Sequence, residues 1–309
     1  MKTKKAQFDF IWIFAIIVGT AILFLAIYGA IKAIDTEERI TNSKTAKSIS
    51  ILTDPLQSGF AEGSFGKISF NEEITINNFC STGGFGMNEL SVSTKPSVGD
   101  ALNTPGATTQ ISNKYIFSNE RSSGEDYYVF SKPFYFPFKV ADLLFLIPED
   151  YCFDGAPDYI VQEIEGLNIP NIHIDNCTSD SAITVCFKPG NDCDIGVIPS
   201  CVGCEDGIIE KGSASMKYAG SLIYAAIFSE KRIYECNVER LLYRSEKISQ
   251  NLLNKIDLMN ARGCSSGLKS DLFVFEASLN NSSSDNLAFL DNLAQGLERK
   301  NNLERCGLW

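Results

Sequence analysis

The first pattern in the chain is residues 10–31, which carry no charged side chain and are bracketed by Lys2, Lys4, Lys5 and Asp9 on one side and Lys32 on the other. At ~1.5 Å per residue such a run matches the roughly 30 Å hydrocarbon core of a bilayer, where a backbone must satisfy its own hydrogen bonds as a helix. The pattern predicts a transmembrane helix over 10–31. It follows a cytoplasmic stub, 1–9, and precedes a polar stalk, 32–50. The run exceeds the about 7–15 apolar residues of a secretory signal and is followed by no clear cleavage site, so an uncleaved anchor with the lipid bilayer as its partner is expected.

From residue 51 to 139 the period changes to two. Lys67–Phe70, Glu73–Asn77, Glu89–Thr94 and Gln110–Phe117 alternate β-branched or aromatic residues with polar ones. Gly83-Gly84, Pro105-Gly106 and Ser123-Gly124 punctuate them, as in antiparallel strands joined by turns. Tyr127–Phe138 packs aromatic side chains around Pro133 and Pro137, which predicts a bent edge segment, its rings filling space against the following region.

Residues 140–309 read differently. Asp142–Ile147 is a continuous apolar run ended by Pro148, Pro157–Leu167 has helical spacing, and Asn171–Asp175 is a short strand containing His173 in a buried-strand pattern. Together they predict a βαβ unit, with Glu149, Asp150, Asp154 and Asp175 at its strand ends, where ligands of such units gather. Ile183–Phe187 is a further strand. Gly212–Ser229, Ile233–Arg262, Leu268–Leu279 and Asp285–Arg305 are expected helices, the last capped by Ser284 or Asp285. The fold class is therefore α+β: an N-terminal transmembrane helix, a β-rich domain at 51–139, then a βαβ unit with a helical C-terminal part at 140–309.

Composition narrows the partners. With 27 basic and 38 acidic residues the net charge is −11, and nucleic acid or an anionic membrane surface would need a basic footprint instead. Ten cysteines, Cys80, Cys152, Cys177, Cys186, Cys193, Cys201, Cys204, Cys236, Cys264 and Cys306, all follow the apolar run and suit an oxidising compartment. They place the C-terminal region outside the cytoplasm, as a single-pass protein of the cell membrane, and make disulfides the leading expectation. Cys186, Cys193, Cys201 and Cys204 also admit a weaker zinc reading, since Cys201-Val-Gly-Cys204 supplies one of the two knuckles such a site uses. A redox dithiol would need a helix N-terminus at Cys201, whereas acidic, non-helical Glu205-Asp206-Gly207 follows the pair. Asn176, Asn280 and Asn281 satisfy the N-glycosylation acceptor rule.

At the edge of the apolar run, Lys5-Ala6-Gln7-Phe8 resembles the processing signal of archaeal type IV pilins and related filaments. The resemblance covers about the first thirty residues. It implies cleavage between Ala6 and Gln7, packing of the retained helix with copies of itself, and pairing of the freed amine with Asp9. The phrases Leu222–Ser229 and Tyr234–Arg244 resemble a family of archaeal single-pass membrane proteins, a likeness that implies no activity.

Catalytic patterns are sparse. His173 is the single histidine, so a Ser-His-Asp triad would have to use it. Gly263–Gly267 matches G-x-S-x-G but follows a helical pattern rather than the strand that a nucleophile elbow needs. Ser266–Lys269 and Ser284–Asn286 mimic two penicillin-binding motifs with no Lys-Thr-Gly to complete them. The expectation is a non-enzymatic, membrane-anchored structural or binding protein of the cell surface, a pilin-like subunit in one version. The alternative is an extracytoplasmic enzyme or a thiol-redox or zinc protein using Cys201 and Cys204. No other cofactor is expected.

Overall fold

The structure, a computed structural model, describes residues 14–28, 65–94, 106, 108–175, 181–187, 193–201 and 203–309. Helix α1, residues 14–28, leaves Phe14, Ile17, Leu23, Phe24 and Leu25 exposed and contributes to neither hydrophobic core. It corrects the expected transmembrane span at 10–31. No helix among the described residues is long and apolar enough to cross a membrane. Ala6, Gln7 and Asp9, and with them the pilin-like cleavage, lie outside the described residues.

The β-rich region forms a six-stranded sheet. Its strands are β1 (Phe65–Ser81), β2 (Met87–Thr94), β3 (Thr109–Ser112), β4 (Tyr115–Phe117), β5 (Arg121–Tyr135) and β6 (Lys139–Ile147), in the order β3-β2-β1-β5-β6-β4. The segments expected at Lys67–Phe70 and Glu73–Asn77 are one long strand, whose pairing with β5 shifts register between Ser69 and Ile74. Ser123-Gly124, expected as a turn, lies inside β5. So does most of the aromatic segment, and β5 is central rather than an edge strand. Pro133 lies within β5, opposite Asp142 of β6, and Pro137 lies in the turn between β5 and β6. Tyr127, Phe130, Phe134, Phe136 and Phe138 are buried, as an aromatic filling requires.

The apolar run in β6 is buried on both faces. Leu143, Phe145 and Ile147 enter the main core, and Leu144 and Leu146 enter a smaller one with Ile74, Ile76, Leu90 and Val92. Because β6 belongs to this first sheet, it is not the opening strand of the βαβ unit. That unit is β7 (Tyr151–Asp154), α2 (Asp158–Leu167) and β8 (Ile172–Ile174), with β7 and β8 parallel. Helix α2 begins at Asp158 after Pro157 as its extended N-cap residue, buries Ile160, Ile164 and Leu167, and stops at Asn168 in a left-handed conformation. Strands β9 (Ile183–Cys186), β10 (Ile195–Pro199), β11 (Asp206–Lys211) and β12 (Ala214–Ala219) complete a second mixed sheet, ordered β12-β11-β10-β9-β7-β8.

The expected helix at Gly212–Ser229 is instead β12 followed by the short helix α3 (Leu222–Phe228), every residue of which is buried. Gly220, at positive φ, makes the turn between them. Three longer helices follow: α4 (Lys231–Ala261), α5 (Lys269–Leu279) and α6 (Leu287–Leu303). Ser283, rather than Ser284 or Asp285, caps the 3-10 turn that leads into α6, through a reciprocal bond with Asn286. One core joins aromatic residues of the first sheet, strands of the second and apolar stripes of α2 to α6.

Disulfides close the structure: Cys80–Cys236 ties β1 to α4, Cys264–Cys306 ties the end of α4 to the chain beyond α6, and Cys186–Cys193 and Cys201–Cys204 close local loops. Cys152 is disulfide-bonded as well, and Cys177 lies outside the described residues. Of the four bonds just named, Cys80–Cys236 crosses the longest stretch of chain, 156 residues. Replacing both its cysteines with alanine is expected to lower unfolding free energy by about 2–5 kcal/mol in urea denaturation, an unchanged midpoint being the contrary result.

Candidate functional site

The sequence points to the cysteine-dense stretch and to the strand-end carboxylates, and the structure assembles neither into a reactive centre. The four sulfurs of the zinc reading are joined pairwise, so none is a free thiolate, and no group of three or more potential ligands gathers among the described residues. Cys201 and Cys204 sit in the loop between β10 and β11, not at a helix start. Asp175 accepts a hydrogen bond from the Gly155 amide at 3.1 Å, which makes it a turn residue. Glu149 accepts from Asn119 at 3.2 Å, and burial raises its pKa. His173 is exposed rather than buried; Ser265, the serine of the G-x-S-x-G match, follows helix α4 as the sequence indicates, and Ser266 Oγ accepts from the Leu268 amide at 3.4 Å. Asn280 and Asn281 are exposed in the turn after α5, while Asn176 lies outside the described residues.

A concavity among the described residues lies elsewhere. A cleft of about 800 Å³ opens between the end of β5, helix α2, the β10–β11 loop, the start of α3 and one face of α6. Its size falls within the roughly 300–1,000 Å³ usual for small-molecule sites. Five separate elements supply its walls, so no local motif could announce it.

On one side three groups form a closed set. Glu163 on α2 is 2.5 Å from the Lys132 ammonium, the Tyr224 hydroxyl donates to Glu163, and Lys132 lies 5.1 Å from the centre of the Tyr224 ring. The lysine is thus held by an ion pair and by an aromatic face at once. Beneath it the Ser221 hydroxyl donates to the Pro133 carbonyl at 3.0 Å, tying α3 to β5. Proline leaves that part of β5 without an amide donor but with an acceptor, and the serine uses it.

The lining also carries Glu205, Asp291 and Glu298, with Gln295 donating to Asp291 at 2.7 Å. Glu205 is fixed from two directions: the Cys201–Cys204 bond precedes it, and its carbonyl accepts from the Gly220 amide at 2.9 Å. No ion pair to these three carboxylates forms among the described residues. The effect on ionisation is direct. Burial, reinforced by Asp206, Glu205 and Glu298, pushes Asp291 up to about 6. Tyr159 is raised by burial and then by Glu205 and Glu163. The half-exposed rings of Tyr135 and Tyr159 complete the lining.

A raised carboxyl pKa fixes the sign of a pH effect. The folded state holds the Asp291 proton more tightly than the unfolded chain, whose carboxyl titrates near 3.8. Ionised Asp291 therefore destabilises the fold, by an amount that is absent below about pH 4, grows as pH rises to about 6 and is complete above it. Asp291→Asn is expected to raise stability at pH 7.5 by about 1 kcal/mol, after allowance for solvent screening of a partly exposed group, and to change it little at pH 4. Thermal denaturation at the two pH values measures this, and an equal effect at both contradicts it.

Compared with models of known protein families, with curated proteins and with solved structures, the chain matches none of them.

Proposed function

We propose that this is an extracytoplasmic binding protein whose ligand site is the cleft between β5, α2, α3 and α6. One observation carries the reading: a preformed concavity of ligand size holds three carboxylates without an ion-pair partner among the described residues, on walls that the main core and a disulfide keep rigid. The packing of separate elements sets Asp291 beside exposed Glu205 and Glu298, and burial together with those neighbours raises its pKa. Disulfide bonding throughout the described region supports the compartment. The reading is of binding, because Lys132, Glu163 and Tyr224 already engage one another and the C-x-x-C pair is closed.

Gly166 provides the test. It lines the cleft from the last turn of α2, and a Cβ placed on it meets no atom within 4 Å. Gly166→Trp should fill the opening while leaving stability equal or a few tenths of a kcal/mol higher, since glycine is a poor helix former. In a fragment screen by saturation-transfer NMR, the wild-type protein is expected to give binders that Gly166→Trp loses. Binders retained in full by a folded Gly166→Trp variant would place the site elsewhere.

A further inference from the structure

We infer that the cleft selects a small organic polyamine, a molecule with two or more ammonium groups joined by methylene chains; this rests on the binding role proposed for the same cleft. The first ground is charge. One lysine faces four carboxylates, and that lysine is already committed to Glu163, so Glu205, Asp291 and Glu298 are left to a guest. A guest with one ammonium would answer one of the three; a diamine or triamine answers two or all.

The second ground is the shape of the charge. The carboxylates do not converge as metal ligands, for no group able to hold a metal ion forms among the described residues. Hard cations require several oxygens at short range in a common shell. Carboxylates spread over the β10–β11 loop and two positions of α6 instead suit charges spaced along a flexible chain. Exposed Tyr135 and Tyr159 offer faces to the methylenes between those charges and to the ammonium groups themselves.

The third ground is that the fold already binds an amine by this chemistry. Lys132 ends in a primary ammonium on a four-carbon stem, and it rests against Glu163 and across the Tyr224 ring in the same cleft. The side chain is an internal example of what carboxylates and a tyrosine face accept here. A net charge of −11 further raises the local concentration of multivalent cations.

Calorimetric titration of the full chain with spermidine at low salt, alongside 1,8-diaminooctane and its uncharged counterpart 1,8-octanediol, tests the inference. Saturable binding of both amines and none of the diol is expected. The triple variant Glu205→Gln, Asp291→Asn, Glu298→Gln should weaken spermidine binding at least about tenfold. The control Glu125→Gln, Asp150→Asn, Glu239→Gln removes as many exposed carboxylates outside the cleft and should leave binding within about twofold. Equal weakening by both triple variants would mean diffuse attraction to an acidic protein and would overturn the inference. Amines that fail to bind while neutral or anionic fragments bind in a manner lost with Gly166→Trp would overturn it and spare the cleft; silence from every class of probe would overturn both.

Discussion

A guanidinium with no carboxylate beside it holds this structure together. Arg240 of α4 is fully buried, and its Nε donates to the Phe85 carbonyl at 3.0 Å, its Nη1 to Asn88 and Asn237 side-chain oxygens at 2.6 and 2.7 Å, and its Nη2 to the Lys114 carbonyl at 3.0 Å. The charge lies 4.7 Å from the ring centre of Tyr115. Burial pulls its pKa down to about 10, far above any physiological pH, so the cation persists inside the protein. A buried charge survives only if its hydrogen bonds are made. Each acceptor here comes from a place that must be correct for the others to be: the β1–β2 turn, β2, the residue before β4, and α4 itself. Asn78, Asn88 and Asn237 extend the net by all donating to the Ile116 carbonyl. Gly86 admits the arginine at all, because a Cβ there would lie 2.9 Å from its Nε and 2.3 Å from the Ser81 carbonyl.

The consequences reach the cleft through α4. The helix packs on β1, β4 and β6 of the first sheet, on β12 of the second, and on α3 and α5. One turn before Arg240, Cys236 is bonded to Cys80, so a covalent link and a polar net secure the same helix to the same sheet. Helix α6 in turn packs on α5 and β12. At the far end Cys264–Cys306, the Lys255 ammonium on the Leu308 carbonyl at 2.6 Å, and Trp309 against Phe138 dock the last residues. Helix α6, which carries Asp291 and Glu298 of the cleft lining, is thereby held in the same core as α2 and α3.

What the sequence shows of this is what periodicity encodes. The two-residue alternation of 67–117 and the helical stripes of 233–305 map onto real elements, because each buries one side against the core. Other readings fail where neighbours override local pattern. Pro133 suggests an edge, yet β5 lies between β1 and β6, with Pro133 opposite Asp142. The apolar residues of 212–229 suit a helix, but β11 takes the first half as its partner. The charge-free run at 10–31 matches a membrane in composition, but no helix among the described residues is long and apolar enough to cross one. The cleft left almost no trace, since its lining is drawn from positions 131 to 298 and no spacing links them. Arg240 hid for the opposite reason: on an amphipathic helix an arginine beside the apolar stripe reads as solvent-facing, and only the asparagines across the interface reveal otherwise.

The most direct test is a double-mutant cycle on Arg240→Met and Asn88→Ala, with unfolding free energies from urea denaturation. If the guanidinium joins α4 to the first sheet as described, the charge-assisted bond should couple the two positions by about 1.5–3 kcal/mol, because losing either partner removes the bond and losing both costs less than the sum. Effects that add to within about 0.5 kcal/mol would show that the two side chains act independently, and the account of how this fold is held would be wrong.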